Sequence, residues 1–458
     1  YHFSISDPSW LAIPLHFITL FLVCMYFHGQ LARMRPATEH LNSYFVWMSA
    51  GGIAGGIFNG LIAPLVFATQ AEYIITMLIS GLALSLFSRD AHEHVSVKAE
   101  QILVTTAYII LIIILNARFP NITSSFFPSG TAQLLAFNIV SISLFFRFRA
   151  VKLAVLAAIY IGGQIFGAAD SLNLLTARSF FGILKVNRII SNDAEKFGRT
   201  EAPVDVFMSL SHGSTMHGIE RKVNIRPVFP LAYYSCESPI GAIFRAGRIN
   251  RAMQNIGIIG LGCGTLAWYG RPWQHFDFYE IDPEVIRIAE NPAYFTYLRN
   301  SLASWKNIVG DARINLQTVP DKSYDLLVID AYSSDAVPTH LLTVEAFRLY
   351  RSKLKDDGIL TLHTSNRYFD LLPVIRRICD EIDMRVLVGN DNPKNYSLRY
   401  DDYDLALLTH SQWVAASGSE SALKRLQVFW KWQILPEKAD MSLWTDDHAS
   451  LFQVYKWR

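Results

Sequence analysis

Ile256-Gly257-Ile258-Ile259-Gly260-Leu261-Gly262-Cys263-Gly264-Thr265, followed by Phe276-Asp277-Phe278-Tyr279-Glu280-Ile281-Asp282, is the stretch that decides the fold. The apolar run Ile256, Ile258 and Ile259 suits a strand buried on both faces of a parallel sheet. Gly260, Gly262 and Gly264 follow at once, where a tight turn lets the backbone approach a ligand with no Cβ in the way. A second short strand then ends in Glu280, an acid placed to accept hydrogen bonds from two ribose hydroxyls. A glycine-rich turn alone is a weak signal; with the strand before it and the acid after the next strand it predicts a nucleoside site.

Two further acids extend the pattern. Val309-Gly310-Asp311-Ala312-Arg313 follows a third strand start, and an Asp there can accept the adenine amine. Tyr324-Asp325-Leu326-Leu327-Val328-Ile329-Asp330 is a fourth strand ending in an acid. In open α/β sheets the ligand lies beyond the carboxyl ends of the strands, where Glu280, Asp311 and Asp330 all fall. This order resembles the S-adenosylmethionine-dependent transferase fold, and in detail the spermidine synthases, the aminopropyltransferases. The segments carrying that resemblance are Tyr279–Ala289, Gly310–Leu316 and Asp325–His363, within a stretch from about Arg178 to His410. It implies a Rossmann-like donor-binding domain. Gly260, Gly262, Cys263 and Gly264 would turn around decarboxylated S-adenosylmethionine or S-adenosylmethionine. Glu280 and Asp282 would lie at the ribose, and Asp311 and Ala312 at the adenine.

The chemistry of such a transfer sets the other candidates. A polyamine such as putrescine arrives as an ammonium with a pKa near that of lysine, about 10.4, and must lose a proton before it attacks. Asp330, Tyr332 and Asp335 share the loop after the fourth strand. By resemblance Asp330 is the catalytic aspartate, and Asp335 stands for a second acid that the family carries closer by. Tyr233 and Tyr234 resemble the segment lining the amine pocket, and His212 and His217 are alternative proton acceptors. Cys263 stands where the soluble synthases carry an Asp that meets the donor's amine, which leaves the form of the donor open.

The beginning of the chain is of another class. Of 458 residues 51% are hydrophobic and 17% charged, too apolar for a soluble protein. Six apolar segments fall at about 9–28, 44–68, 71–87, 102–117, 130–148 and 151–169, most approaching the roughly 20 residues that span a bilayer. Ala50, Gly51, Gly52, Ala54, Gly55, Gly56 and Gly60 permit close helix packing in lipid. Phe27–Pro36, followed by Ser49–Phe67, resembles the bacterial proteins that fuse a multispan segment to a spermidine synthase-like domain. No signal-peptide pattern is read at the start, and the opening Tyr1 leaves room for residues upstream.

The expected architecture is therefore a membrane α-helical bundle over 1–172 and a small antiparallel β domain over 173–245. A Rossmann-like catalytic domain follows over 246–458. Basic residues at Arg33/Arg35, Arg89/Lys98 and Arg147/Arg149/Lys152 assign those loops to the cytoplasm. Six crossings would then put the catalytic domain outside, away from its donor; the segment 151–169, with Gly162-Gly163, is the candidate that does not cross. The resemblance implies a bacterial inner membrane, a cytoplasmic catalytic domain, a bilayer as partner, and an assembly compatible with a homodimer. Helices are expected at about 283–304, 339–355 and 370–383, and strands at 358–363, 384–388 and 404–408, joined by right-handed crossovers. The four cysteines have no metal spacing, no metal site is read, and no nucleic-acid motif is present. Methyl transfer to a small or lipid-borne acceptor is the alternative activity. A non-catalytic polyamine or adenosyl-ligand sensor, or a transporter, is the alternative class, although the clear span interiors hold no acid of the kind a cation path needs.

Overall fold

A computed structural model of the chain describes residues 9–68, 72, 76, 173–191, 205–213, 215–222, 229–331, 337–393, 407–436 and 441–456. The chain divides into two compact units, Tyr1–Asp170 and Ser171–Arg458.

In the first unit, α1 (Ser9–Arg33) and α2 (Leu41–Ile57) flank a turn at Thr38–His40, and the Tyr44 hydroxyl donates to the Leu31 carbonyl at 2.7 Å. The helical path continues from α2 through a π turn, Phe58–Ile62, into Ala63–Val66. Pro64 accounts for the wider turn: it has no N–H to give, and its ring crowds the carbonyl four residues back. Thr38–Val66 forms 29 residues of helix, long and apolar enough to cross a membrane. Trp47 is 77% and Leu65 73% exposed on it. The later apolar segments, 71–87 apart from residues 72 and 76, then 102–117, 130–148 and 151–169, lie outside the described residues.

The second unit carries two sheets. Four antiparallel strands run in chain order, β1 (Asn173–Ser179), β2 (Gly182–Ser191), β3 (Asp205–His212) and β4 (Thr215–Arg221). Phe180 and Phe181 form the turn between β1 and β2. The eight-stranded sheet is built from β5 (Asn255–Ile259), β6 (His275–Glu280), β7 (Ser304–Val309), β8 (Tyr324–Ile329), β9 (Leu354–His363), β10 (Arg385–Asn390), β11 (Gln412–Ser417) and β12 (Gln433–Ile434). Their spatial order is β12-β10-β11-β9-β8-β5-β6-β7. The pairs within β9-β8-β5-β6-β7 are parallel, whereas β11 runs antiparallel to β9 and β10. The expectation of parallel crossovers throughout the end of the chain is thus corrected: Gln412–Ser417 is an antiparallel strand filled between β9 and β10. From the proposed 404–408 strand only Leu407 and Leu408 are described, and Leu408 makes an isolated bridge with Ala232.

Helix α3 (Pro239–Arg248) runs across the boundary expected at residue 245 and packs Ile240, Ile243 and Phe244 into the core under β5. The helix expected over 283–304 is only α4 (Pro283–Glu290). Asn291-Pro292 stops it, because proline disfavours a helical residue before it and offers no N–H. Further on, α5 (Ala312–Gln317), α6 (Val344–Lys353) and α7 (Leu372–Glu381) cover the sheet. Chain order reverses beside β5, with β6 and β7 on one side and β8 and β9 on the other, so a crevice opens where β5 and β8 end.

Candidate functional site

A cavity of about 310 Å³ lies at that crevice. Its wall includes Gly260 and Gly262 after β5, Glu280 and Asp282 after β6, Asp311 and Ala312 after β7, and Asp330 after β8. The small sheet closes it with Phe181, Leu184, Leu210, His212 and His217. The structure thus brings together most residues singled out in the sequence, including acids up to 50 positions apart in the chain. Tyr332 and Asp335 lie outside the described residues.

Two glycines of the turn also lie close to the protein's own backbone. Gly260 has φ +96°, and a Cβ there would stand 2.3 Å from the Asp330 carbonyl oxygen. Gly262 has φ +55°, and its Cβ would stand 2.8 Å from the His217 carbonyl oxygen. The room saved by lacking a side chain is therefore taken by the protein's own backbone, which holds β8 and β4 against the turn. Gly264 and Cys263 are not part of the described wall. Cys263 is fully buried, with its sulfur 3.1 Å from Thr265 Oγ1, and burial pushes the thiol up to about 12. The position assigned to the donor's amine is sealed beneath β4, where Gly218 leaves room for the sulfur.

Glu280 is 9% exposed and accepts the Leu261 and Asp282 backbone N–H groups at 2.9 and 3.0 Å. Burial raises its pKa, and those two N–H groups oppose the rise. A carboxylate has about four lone-pair sites, so two remain for hydroxyl donors from the cavity. Asp282 is spent on structure. Its Oδ1 caps α4 through the Glu284 N–H at 2.9 Å, and its Oδ2 accepts the Ser179 hydroxyl at 2.6 Å, tying the β1–β2 turn to β6. Asp311 caps α5 through the Ile314 N–H at 2.9 Å and has His340 Nε2 at 3.4 Å from its other oxygen. Ala312 opens α5 at 7% exposure.

Asp330 is held from two sides. The Tyr234 hydroxyl donates to Oδ2 at 2.5 Å, and His363 Nδ1 stands 2.9 Å from Oδ1. The Asp330 side chain is 4% and that of His363 6% exposed. Burial, then the neighbouring Asp330 charge, pushes the Tyr234 hydroxyl well above the usual phenol range, so it stays a donor. Tyr233 stacks on His363 and is reached by the Tyr234 hydroxyl at 3.4 Å. His217 is lowered to about 4 by burial and by His212, whose ring centroid lies 5.8 Å away, so it is neutral at ordinary pH. His363 and His340 escaped the sequence reading. Both sit on stretches with no local motif, and only the sheet order brings β9 next to β8. Among the described residues no group of three His, Cys, Asp or Glu gathers as for a metal ion.

The fold and these strand-end acids define an α/β protein of the Rossmann-like kind with a nucleoside-sized cavity at its topological switch. Over part of its length the chain is similar to an aminopropyltransferase. A curated polyamine aminopropyltransferase of Vibrio vulnificus is 33% identical over 122 residues, 25% of this chain. The chain spans 39% of that relative's length. The solved structure of a probable spermidine synthase from Corynebacterium glutamicum aligns over 54% of this chain and 95% of its own, with 16% identity and a TM-score of 0.37. The spermidine synthase of Thermotoga maritima aligns over 56% and 82%, with 13% identity and a TM-score of 0.30. No family-wide sequence model matches the chain.

Proposed function

We propose that the chain is a membrane-anchored, spermidine synthase-like aminopropyltransferase. It moves the aminopropyl group of decarboxylated S-adenosylmethionine onto an amine such as putrescine. The observation that carries this reading is Asp330, buried on the cavity wall with both carboxylate oxygens hydrogen-bonded, opposite a second carboxylate, Glu280, that keeps acceptor capacity. Glu280 holds the ribose hydroxyls, and Asp311 and Ala312 lie at the base. Gly260 and Gly262 shape the turn beneath the donor.

Asp330 grips the acceptor's ammonium and takes its proton. The freed lone pair attacks the carbon beside the sulfonium, the carbon–sulfur electron pair passes to sulfur, and neutral methylthioadenosine leaves. His217, neutral in the same wall, puts no competing positive charge next to the ammonium. Exclusion of water by Leu184, Leu210 and Phe181 strengthens the attraction between Asp330 and the amine.

Methyl transfer from S-adenosylmethionine is the second reading, favoured by one observation. The donor-loop residue Cys263 is buried and offers no charge to a cationic propylamine. The test incubates the detergent-purified protein with putrescine and decarboxylated S-adenosylmethionine and follows methylthioadenosine and spermidine by mass spectrometry, with Asp330→Asn beside it. Matched products, absent from the variant, support the aminopropyl reading. Turnover of the methyl donor alone, with demonstrable donor binding, replaces it with the methyltransferase.

A further inference from the structure

His363, the last residue of β9, is absent from the wall of the crevice cavity, yet it stands directly behind the acid that faces it. Its imidazole is fixed as a sandwich. Tyr233 stacks on one side with centroids 4.5 Å apart and planes at 22°, and Trp413 on the other at 4.7 Å and 23°. Trp413 is fully buried, so that slot does not widen cheaply. An aromatic slot of this shape would accept a phenyl ring, and a polar ring in it is costly unless a ring nitrogen is hydrogen-bonded. The ring is used: an ionised carboxylate only accepts hydrogen bonds, so with Asp330 charged the Nδ1 must carry the proton and donate to Oδ1. Tyr234 meanwhile donates to Oδ2. Two donors on two oxygens fix both the position and the plane of the carboxylate, and leave its remaining lone pairs as those available to the cavity.

Resting on the aminopropyl-transfer reading, we propose that His363 is the positioning residue of Asp330, its Nδ1–H holding the carboxylate in the plane from which it removes the acceptor's proton. The proton passes from the amine nitrogen to Asp330. His363 neither takes nor gives one in the step, and its place between two rings keeps the donor direction constant while Asp330 changes charge. The donor-holding groups Glu280 and Asp311 lie on other strands, so loss of His363 acts on the rate of the chemical step and not on donor affinity.

The test uses the full chain with two substitutions. His363→Phe keeps the stacked ring and removes the N–H; His363→Asn removes the ring and returns an N–H at the same branch of the side chain. Misplacing a catalytic group by a fraction of an ångström to 1 Å lowers turnover by about 10–100-fold. That loss is expected in kcat for the Phe variant, with donor Kd and melting temperature unchanged and with the Asn variant recovering most of the rate. A Phe variant that keeps the wild-type kcat, or Phe and Asn variants equally impaired, overturns the proposal. A second readout is independent of turnover. In protein labelled with ¹⁵N-histidine, an imidazole N–H signal that His363→Phe abolishes should shift in Asp330→Asn. If the wild type forms no product, the aminopropyl reading fails while this signal still decides the positioning: a resonance indifferent to Asp330→Asn overturns it.

Discussion

Two carboxylates at strand ends, Glu280 and Asp330, occupy one cavity with different surroundings. Glu280 is held by backbone N–H groups of its own turn, a local arrangement, whereas the partners of Asp330 come from β9 and from the segment before α3. Asp330→Asn should lower turnover by about 10²–10⁴-fold, the usual range for a proton-transfer group, while donor Kd measured by calorimetry stays put. Glu280→Gln should reverse that division, weakening donor binding more than the chemical step. His217 gives a prediction in pH. It is 6.5 in the unfolded chain and about 4 when folded. As pH falls through that window the unfolded chain gains a proton the folded chain refuses, so stability is lost on acidification, by up to about 3 kcal/mol. Thermal melts should fall between pH 6.5 and 4, and His217→Gln should flatten the slope; an unchanged slope refutes the assignment. Glu280 and Asp330 were readable because each ends an apolar run. The bond from Tyr234 to Asp330 and all of His363 depend on which segments become neighbours, and no local spacing encodes that. Asp282 and Asp311 also serve the helices that follow them. Each precedes a helix as its N-cap, and the Asp282-Pro283-Glu284 sequence already carries that signal.

At the level of elements, the turn after β5 is a junction. Gly260 meets the backbone after β8, and Gly262 meets that of β4, so one loop sets the distance between β8 and β4. Gly260→Ala combines a positive φ with a clash against backbone that cannot swing away. It should destabilise by at least about 1–3 kcal/mol and reduce donor affinity, and a variant with wild-type melting and affinity refutes the close contact. Ser179→Ala tests the tie from β1 to the Asp282 cap. Loss of that hydrogen bond should cost about 1 kcal/mol and speed hydrogen exchange across residues 179–182, leaving β5 protected. The parallel core from β5 to β8 was legible from apolar runs followed by glycine or acid. The far edge was not: the apolar run Trp413–Ala416 gives no sign of direction, and its antiparallel insertion between β9 and β10 is settled by packing, with Val414 and Ala416 buried against the second core.

For the whole molecule, the proposed membrane anchoring rests on the helix Thr38–Val66. Thr38–Val66 alone among the described helices is long and apolar enough to span. Its 29 residues reach about 43 Å at 1.5 Å per residue, more than the roughly 30 Å hydrocarbon core, which tilt absorbs. Large apolar side chains such as Trp47, Ile53 and Leu65 stand exposed along it, which water disfavours and acyl chains accept. We therefore expect the protein in the membrane fraction after alkaline carbonate washing. On the proposed aminopropyl-transfer reading, the second unit is expected on the side of the membrane where its donor is made. With Arg33 and Arg35 expected inside, that reading calls for an even number of crossings before Ser171. Arg118 falls between the basic clusters assigned to the cytoplasm, so labelling of single cysteines placed there and in the 171–458 unit by an impermeant maleimide tests it. Reaction at residue 118 on intact cells, with the catalytic unit reacting only after lysis, fits. A catalytic unit labelled in intact cells puts Asp330 away from its donor and removes the basis for aminopropyl transfer in this chain.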